Sequence, residues 1–262
     1  MGLDHYNIEI VQQPSRYRPF YRKEIDYEAL VGSISEAFAM DRATVEQDLA
    51  FYRQFSEAKN YRTRFGELKT LSTAEAFIIY LLLKRYRPAS IVEIGTQFGR
   101  STRRIIDAKN HLALPSPVIC YDVVDHVQHF SPSEAALHLN DVTHTVSEDV
   151  LDRYPPGLLF LDAHPYYLLK NVTAGVLRHP KPWILVIHDC GKGLCNPNMT
   201  LAREARTVTS TTGIWERHVL AELFGIPDPL SAALDHIEAA RHRLDIFDTQ
   251  HGLAVIVPRM GR

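Results

Sequence analysis

Residues Ser90–Thr102 read SIVEIGTQFGRST, and the pattern of the whole chain can be followed from them. A short apolar run that contains Glu93 leads directly into two glycines, Gly95 and Gly99. The run predicts a β-strand, and a residue without Cβ lets the chain turn sharply and lets a ligand touch the backbone. Helix N–H groups beginning near Ser101 would face the same point and favour negative charge. The stretch therefore predicts a strand, a ligand-binding turn and a helix.

The segments that follow repeat this order of strand and helix. Apolar, β-branched runs alternate with helical stretches, a pattern typical of a parallel sheet covered on both faces. The last two runs are joined only by TQH, which favours an antiparallel hairpin. We predict an α/β fold with a doubly wound, seven-stranded, mostly parallel, Rossmann-like sheet and a closing antiparallel hairpin. The predicted strands are SIVEIG (90–95), PVICYDVV (117–124), DVTHTV (141–146), GLLFLDA (157–163), WILVIHD (183–189), LDIFD (244–248) and GLAVIVP (252–258).

The chain before this sheet is helical and rich in aromatic residues. We predict that residues 1–70 form a helical N-terminal extension that caps the substrate site, and that residues 71–262 form the ligand-binding domain. Helix starts are predicted at Asp26, at Asp41 and at Ser72, the last in a capping box with Glu75. The acceptor pocket and its lid are predicted to include Tyr6, Tyr17, Phe20, Tyr21 and the segment GKGLCNPNMT at 191–200.

An acid follows the second predicted strand, which ends in CYDVVD. A carboxylate at that strand tip can accept hydrogen bonds from both hydroxyls of a ribose. We predict Asp122 as this ribose acid, with Asp125 as second choice and loop capping as the alternative role. The glycine turn itself reads GxxxG, with Thr96 after the first glycine, and so lacks the GxGxxG of a dinucleotide cradle.

Ionisable side chains follow the fourth and fifth predicted strands. Asp162 and His164 come after one apolar run, and His188 and Asp189 come after the next. Parallel strands end at the same edge of a sheet, and burying such groups is costly unless they are paired or bind something. We therefore predict a functional cluster at this edge. Isolated helix-capping acids are the alternative.

These residues together resemble a known enzyme family. The motif Glu93-x-Gly95-x-x-x-Gly99 resembles motif I of the class I S-adenosylmethionine-dependent methyltransferases. With Asp122, FLDAHPYY (160–167) and IHDC (187–190), the chain is similar to small-molecule O-methyltransferases of the catechol and macrolide-sugar group, from about Leu71 to Pro258. The resemblance implies S-adenosyl-L-methionine as cofactor and methylation of a hydroxyl on a small molecule such as a natural product, sugar or phenol.

The resemblance also implies roles for individual residues. It implies that Glu93 faces the amino group of the cofactor's methionine part. Residues near the adenine would be Ser147, Glu148 and Asp149, and further cofactor contacts would come from Gly95, Thr96, Gly99, Ser101, Asp122 and Asp162. In the family, acids after the fourth and fifth strands bind Mg²⁺. The corresponding metal ligands here would be Asp162, His188 and Asp189.

The chain departs from the family pattern at its histidines. Mg²⁺ prefers oxygen ligands, whereas the nitrogen of His188 suits Zn²⁺, Mn²⁺ or Fe²⁺ better, so the identity of a divalent metal stays open. The family's usual base lies three residues after the fourth-strand acid, where this chain has Pro165. We predict His164 as the catalytic base, with His188 as its rival if no metal binds. A structural hydrogen bond is the alternative for each.

The composition of the chain bears on its binding partners and its location. The chain has 262 residues with 29 Lys and Arg against 31 Asp and Glu, which argues against a nucleic-acid partner. The apolar block AFIIYLLL (76–83) is too short to span a membrane. Three cysteines without a CxxC pair favour reduced thiols and a cytoplasmic location. We also expect a homodimer. Alternative functions are a non-methylating enzyme on the same fold, an NAD-dependent oxidoreductase or a non-catalytic partner of another methyltransferase.

Overall fold

The computed structural model describes residues 24–61, 64, 71–195 and 215–259. The predicted pocket residues Tyr6, Tyr17, Phe20 and Tyr21 and residues 196–200 of the predicted lid lie outside these ranges. Lys192–Leu194, near the start of that lid, form a single 3₁₀ turn. Within the described ranges, no helix combines the length and the apolarity that a membrane span requires.

The described residues form one mixed sheet. Its strands are β1 (Ile91–Ile94), β2 (Val118–Asp122), β3 (Ala136–Leu139), β4 (Leu158–Leu161), β5 (Ile184–Ile187), β6 (His236–Glu238), β7 (His242–Phe247) and β8 (Leu253–Pro258). Their order is β3-β2-β1-β4-β5-β8-β7-β6. Strands β1 to β5 pair in parallel, whereas β8 pairs antiparallel with both β5 and β7. The predicted doubly wound, mostly parallel sheet and its antiparallel hairpin are confirmed.

The third strand lies earlier in the chain than we predicted. Residues 141–146 do not form a strand; β3 precedes them and pairs with β2. Asp141 Oδ1 instead accepts a hydrogen bond from the backbone N of Thr143 at 2.8 Å, and such local bonds compete with strand pairing. The sheet of the described residues has eight strands and not the predicted seven. The additional strand is the three-residue β6, which pairs with β7 at the edge of the sheet.

Helices cover both faces of the sheet. They are α1 (Tyr27–Phe38), α2 (Arg42–Ala58), α3 (Thr73–Tyr86), α4 (Arg100–His111), α5 (Tyr166–Arg178) and α6 (Glu216–Phe224), with a π-helical turn at Ser147–Asp152. Side chains of a strand alternate between faces. Ile91 accordingly packs in the core beneath α1 to α4, and the next residue, Val92, packs in the core beneath α5 and α6.

The predicted helix starts are confirmed. Asp26 accepts a hydrogen bond from Ala29 N and Asp41 accepts one from Thr44 N, each at 3.0 Å. Ser72 and Glu75 form the predicted capping box at the start of α3. The Glu75 side chain is fully buried, which is unusual for an acid and places its carboxylate inside the protein.

The first two helices belong to the same core as the sheet. Phe38 of α1 packs against Phe247 of β7, with ring centroids 5.7 Å apart. Lys84 Nζ of α3 lies 2.6 Å from Asp48 Oδ1 of α2. The boundary at residue 70 and a capping role for the extension stay predictions. Trp215 is a buried core residue, and the three cysteines are free thiols.

Candidate active site

The glycine turn after β1 packs tightly against the end of β4. Gly95 has φ 92° and Gly99 has φ 75°, values that favour glycine. A Cβ on Gly95 would lie 2.7 Å from the carbonyl carbon of Asp162 and 2.9 Å from Ala163 Cβ. The turn and the end of β4 are therefore in direct contact, so a ligand on the turn would also lie beside the groups that follow β4.

Asp122 reaches from the end of β2 to this turn. Its Oδ2 accepts a hydrogen bond from Gln97 N at 2.7 Å, and its Oδ1 accepts one from Val123 N at 2.7 Å. Val123 and Val124 beside it are 66% and 46% exposed and leave apolar surface next to the carboxylate. Among the residues that the structure describes, Asp125 Oδ1 accepts a local bond from Val127 N at 3.1 Å, within its own turn. The structure thus brings Asp122 to the glycine turn.

Glu93 lies inside the protein beneath the turn. It is fully buried, and its carboxylate accepts hydrogen bonds from the hydroxyls of Ser101 and Thr102 at the start of α4. Burial raises the pKa of Glu93 to about 8, although the two hydroxyls oppose this shift. Because its oxygens are engaged here, the predicted contacts of Glu93 and Ser101 with a cofactor stay predictions.

The pKa of Glu93 gives an expected pH dependence of stability. The unfolded carboxyl has a pKa of about 4.5 and the folded one about 8, so between these values the folded chain holds a proton that the unfolded chain has released. Stability is therefore full below the lower value and falls as pH rises to the upper one, by as much as about 5 kcal/mol. We expect urea unfolding to show this fall in the wild type and a flatter profile in Glu93→Gln.

The exposed acid Glu148 supplies the control for that measurement. Glu148→Gln should keep the wild-type pH profile, because its side chain lies at the surface. Parallel profiles for the wild type and Glu93→Gln would contradict the prediction.

The three predicted adenine contacts lie together on the π-helical turn after β3. Ser147 and Asp149 are half-buried and Glu148 is exposed. The hydroxyl of Tyr121, on β2, donates a hydrogen bond to the carbonyl oxygen of Asp149 at 2.8 Å. This bond ties the turn to the strand that ends in Asp122. The three residues therefore lie on the β2 side of the glycine turn.

A polar cluster lies where β4 and β5 end. The two strands pair in parallel with Leu161 opposite Ile187, so the residues that follow them are neighbours. Ligand atoms of Asp162, His164 and Asp189 lie within 4.8 Å of one another, and all three side chains are half-buried. The side chains that follow the two strands therefore lie together, and their functional role stays a prediction. Their donor set is two carboxylates and an imidazole.

His164 is paired with an acid, Glu216, that the sequence analysis did not identify. Its Nδ1 lies 2.9 Å from Oε1 of Glu216, the first residue of α6, and its Nε2 lies 3.8 Å from Asp189 Oδ2. Burial lowers the pKa of His164, but the hydrogen bond to Glu216 and the nearby carboxylates outweigh burial and raise the pKa to about 9. The carboxylates around His164 therefore favour its protonated form.

His188 occupies a different position from the other predicted site residues. Its Nδ1 lies 2.9 Å from Asp162 Oδ1 and 3.5 Å from Asp189 Oδ1, while its Nε2 lies 3.4 Å from Glu75 Oε2. Burial lowers the pKa of His188, but the charges of Asp189 and Asp162 outweigh it and hold the pKa well above its ordinary value. Both ring nitrogens face carboxylates, so His188 connects this cluster to the protein interior.

Two further residues in this region were not found from the sequence as site residues. Glu75 was predicted only as a helix cap, and His251, in the turn between β7 and β8, was not singled out. The backbone N of His251 donates to Glu75 Oε1 at 2.8 Å, and its ring Nδ1 lies 3.3 Å from Glu75 Oε2. These residues are 176 positions apart, and no local spacing could signal their contact.

The donor atoms at the strand ends suit a divalent metal ion. Asp162 and Asp189 offer carboxylate oxygens, which Mg²⁺ and Mn²⁺ accept, and both side chains are half-buried. The imidazole of His164 makes Mn²⁺, Fe²⁺ or Zn²⁺ at least as suitable as Mg²⁺. The residues present therefore fit a divalent ion.

Comparisons with known proteins found likenesses only among solved structures. No family model and no curated protein matches the chain. An O-methyltransferase from Bacillus cereus in complex with SAH is 15% identical, with 88% of this chain and 97% of that chain covered and a TM-score of 0.48. The SAH-bound methyltransferase PaMTH1 of Podospora anserina is 14% identical over 91% and 98%, with a TM-score of 0.46. The O-methyltransferase TomG from Streptomyces achromogenes, involved in tomaymycin synthesis and in complex with SAM, is 13% identical over 90% and 100%, with a TM-score of 0.44. Such values do not by themselves assign a function.

Proposed function

We propose that this chain is an S-adenosylmethionine-dependent methyltransferase that methylates a hydroxyl group of a small molecule, with help from a divalent metal ion. One observation carries the proposal: the Gly95 turn touches the backbone of Asp162, so a nucleoside site and an acid-histidine cluster adjoin at one sheet edge. A methyl donor and a metal-held acceptor need such adjacent sites. In open α/β sheets, ligands bind at the carboxyl ends of the strands.

The residues around the glycine turn would hold the nucleoside part of the cofactor. The Asp122 carboxylate, at the tip of β2, is placed to accept hydrogen bonds from ribose hydroxyls. The exposed side chains of Val123 and Val124 offer apolar surface to a flat base. Ser147 and Asp149 lie on the adjacent π-helical turn and complete this side of the site. The absence of a Cβ on Gly95 lets this turn lie directly against Asp162 and Ala163.

The residues after β4 and β5 would hold the acceptor. Asp162 and Asp189 are the proposed oxygen ligands of the divalent ion, which when bound lowers the pKa of an acceptor hydroxyl and fixes its position. His188 is proposed as the residue that orients Asp162, because its Nδ1 lies 2.9 Å from that carboxylate. This departs from the role of direct ligand to the same ion that the family resemblance implies for His188.

His164 is the proposed general base. Glu216 accepts at Nδ1 and fixes the ring, and Nε2 points toward Asp189, where the acceptor hydroxyl would lie. A base held by a second group in this way is a recurring catalytic arrangement. The two nitrogens of His188 are both turned to carboxylates, which favours His164 over its rival.

The chain's main contribution to the reaction would be alignment. The cofactor supplies a methyl group on a sulfonium, which carries most of the chemical drive. The strand ends hold the acceptor oxygen and the methyl donor side by side, and such positioning can contribute about 7–11 kcal/mol in favourable cases. A divalent ion on Asp162 and Asp189 would offset the carboxylate charges that raise the pKa of His164, and the neutral imidazole would then accept one proton from the acceptor hydroxyl at Nε2.

Calorimetry with S-adenosylhomocysteine tests the proposal directly. We expect one binding site per chain, with the heat of binding retained in EDTA, and a separate Mn²⁺ or Mg²⁺ site that EDTA removes. Product analysis with a panel of phenols, catechols and sugars should then detect S-adenosylhomocysteine formed from the methyl donor. Tight binding of NADH without binding of S-adenosylhomocysteine would contradict the proposal and favour an oxidoreductase.

A substitution at Asp122 tests the nucleoside site. Asp122→Asn keeps the size of the side chain but removes its charge, and hydrogen bonds to charged groups contribute about 1.5–3 kcal/mol. We expect the affinity for S-adenosylhomocysteine to fall about 10- to 100-fold by calorimetry. Asp125→Asn is the matched control, because Asp125 only caps its own turn, and it should leave affinity unchanged. Equal losses in the two variants would argue against Asp122 as the ribose acid.

A further inference from the structure

The side chains of Asp162, His164 and Asp189 form the strand-end cluster. A second group of potential metal ligands lies further inside the protein. It consists of Glu75 at the start of α3, His188 after β5 and His251 between β7 and β8, and we call it the interior triad. All three residues are buried, and their ligand atoms lie within 4.8 Å of one another. Three separate elements of the fold therefore direct one carboxylate and two imidazoles to a single point.

The contacts within the interior triad are long hydrogen bonds whose lengths also suit a shared metal ion. Glu75 Oε2 lies 3.4 Å from His188 Nε2 and 3.3 Å from His251 Nδ1. Charge-assisted hydrogen bonds are usually about 2.7–2.9 Å long. Ligands about 2.0–2.1 Å from a tetrahedral ion, in contrast, lie about 3.3–3.4 Å from one another. The two separations from Glu75 Oε2 match edges of such a tetrahedron, and the two imidazole nitrogens lie within 4.8 Å of each other.

Two histidine–carboxylate pairs near the interior triad are shorter. His164 Nδ1 to Glu216 Oε1 and His188 Nδ1 to Asp162 Oδ1 are both 2.9 Å. Longer separations also occur in the strand-end cluster, where His164 Nε2 lies 3.8 Å and His188 Nδ1 lies 3.5 Å from Asp189, so they are found in both groups of potential metal ligands. His188 has a short contact at Nδ1, with Asp162, and a longer contact at Nε2, with Glu75.

Neighbouring groups hold the side chains of the interior triad in place by hydrogen bonds. Metal ligands in proteins are usually held in the same way. A ligating histidine commonly donates its other ring N–H to a carboxylate, and Asp162 occupies that position for His188. The second oxygen of Glu75, Oε1, accepts hydrogen bonds from Thr249 Oγ1 and from His251 N, both at 2.8 Å. Oε2 also accepts from Ser72 N at 2.6 Å and retains a second lone pair.

We propose that Glu75, His188 and His251 form a second metal site, which binds a divalent transition ion of the zinc type with three protein ligands and a fourth position open. Two nitrogens and one oxygen suit Zn²⁺, Co²⁺ or Fe²⁺ and disfavour Mg²⁺, which prefers oxygen donors. The carboxylates of Glu75 and the nearby Asp162 supply negative charge for the ion. This site does not depend on the proposed methyl transfer.

Titration of the full chain with Co²⁺ and Zn²⁺ tests the site. We expect a tetrahedral Co²⁺ centre with intense visible absorption, which Zn²⁺ displaces and Mg²⁺ does not. Asp189→Asn weakens the strand-end cluster while leaving the interior triad intact, and asparagine tolerates the left-handed conformation at φ 60°. The visible band should persist in that variant.

Variants of the triad itself should lose the ion. Loss of an outer partner typically weakens a metal site about 10- to 100-fold, so removal of a ligand in His251→Ala should cost at least about 100-fold in Zn²⁺ affinity. Glu75→Gln should do the same, and because glutamine also serves in a capping box, the start of α3 is preserved. Thr249→Val should weaken affinity only about 10-fold.

Controls separate a specific site from general histidine binding and from misfolding. His236→Gln removes a half-exposed histidine on β6 and should leave the Co²⁺ band unchanged. Circular dichroism checks that each variant is folded, and Zn²⁺ should raise the melting temperature of the wild type but not of Glu75→Gln. The proposal is overturned if the wild type shows no tetrahedral Co²⁺ band, or if folded Glu75→Gln and His251→Ala bind Zn²⁺ like the wild type.

Discussion

His164→Gln should lower turnover about 100- to 10,000-fold while the affinity for S-adenosylhomocysteine stays within about twofold of the wild type. Glutamine fills similar space but cannot accept a proton at the position of Nε2, so the loss falls on the chemical step. His164 lies on the acceptor side of the site, beside Asp189 rather than beside Asp122. Turnover is measured as S-adenosylhomocysteine formed with the best acceptor of the phenol, catechol and sugar panel, and affinity is measured by calorimetry.

Two further variants show whether His164 acts as the base or as a metal ligand. Mn²⁺ affinity should change little in His164→Gln if Asp162 and Asp189 are the ligands, and it should fall sharply in Asp189→Asn. Glu216→Gln keeps His164 but weakens the group that orients its ring, so turnover should fall less than in His164→Gln. A parallel loss of Mn²⁺ affinity and turnover in His164→Gln would make it a ligand instead.

The layout of the sheet could be predicted because each parallel strand is a continuous apolar run followed by polar residues. Strand β4, LLFL, and strand β5, ILVI, are completely buried, so their sequences stand out from the helical stretches around them. Once the strands are parallel neighbours, the residues after them must meet at one edge. The meeting of Asp162 and Asp189 therefore follows from the sequence alone.

The third strand could not be found in the same way. β3, ALHL, lies at the sheet edge, and its residues are exposed or half-buried. Such a strand is stabilised by backbone pairing with β2 more than by burial, so its side chains carry little signal. The more β-branched segment 141–146 looked like a better strand, but the Asp141 side chain bonds to the local backbone and starts a turn.

The partners of the site histidines could not be predicted because they come from distant parts of the chain. Glu216 lies 52 positions from His164, and Glu75 lies 113 positions from His188. The capping box correctly marked the start of α3, but it gave no sign that the Glu75 carboxylate also points into the interior. Only the packing of α3 against the sheet edge places that acid beside His188 and His251.

Gly95→Ala should be among the most destabilising single substitutions in the sheet. A side chain at φ 92° costs about 1–2 kcal/mol, and the overlap of the new Cβ with Asp162 and Ala163 adds about 1–3 kcal/mol. We therefore expect the free energy of unfolding to fall by about 2–5 kcal/mol in urea denaturation. Because the shift would move the end of β4, Mn²⁺ affinity should fall as well.

Substitutions at two other glycines separate the cost of a side chain at positive φ from the cost of overlap with the end of β4. Gly225 ends α6 at φ 69°, and a Cβ added there would have nothing within 4 Å, so Gly225→Ala should show only the conformational cost of about 1–2 kcal/mol. Gly32 lies inside α1, again with nothing within 4 Å, and Gly32→Ala should stabilise the protein by about 0.5–1 kcal/mol. The excess loss in Gly95→Ala over Gly225→Ala then measures the contact between the glycine turn and β4. If the two variants lose equal stability, that contact is too loose to hold the nucleoside and acceptor sites together, and the proposed active site loses its main support.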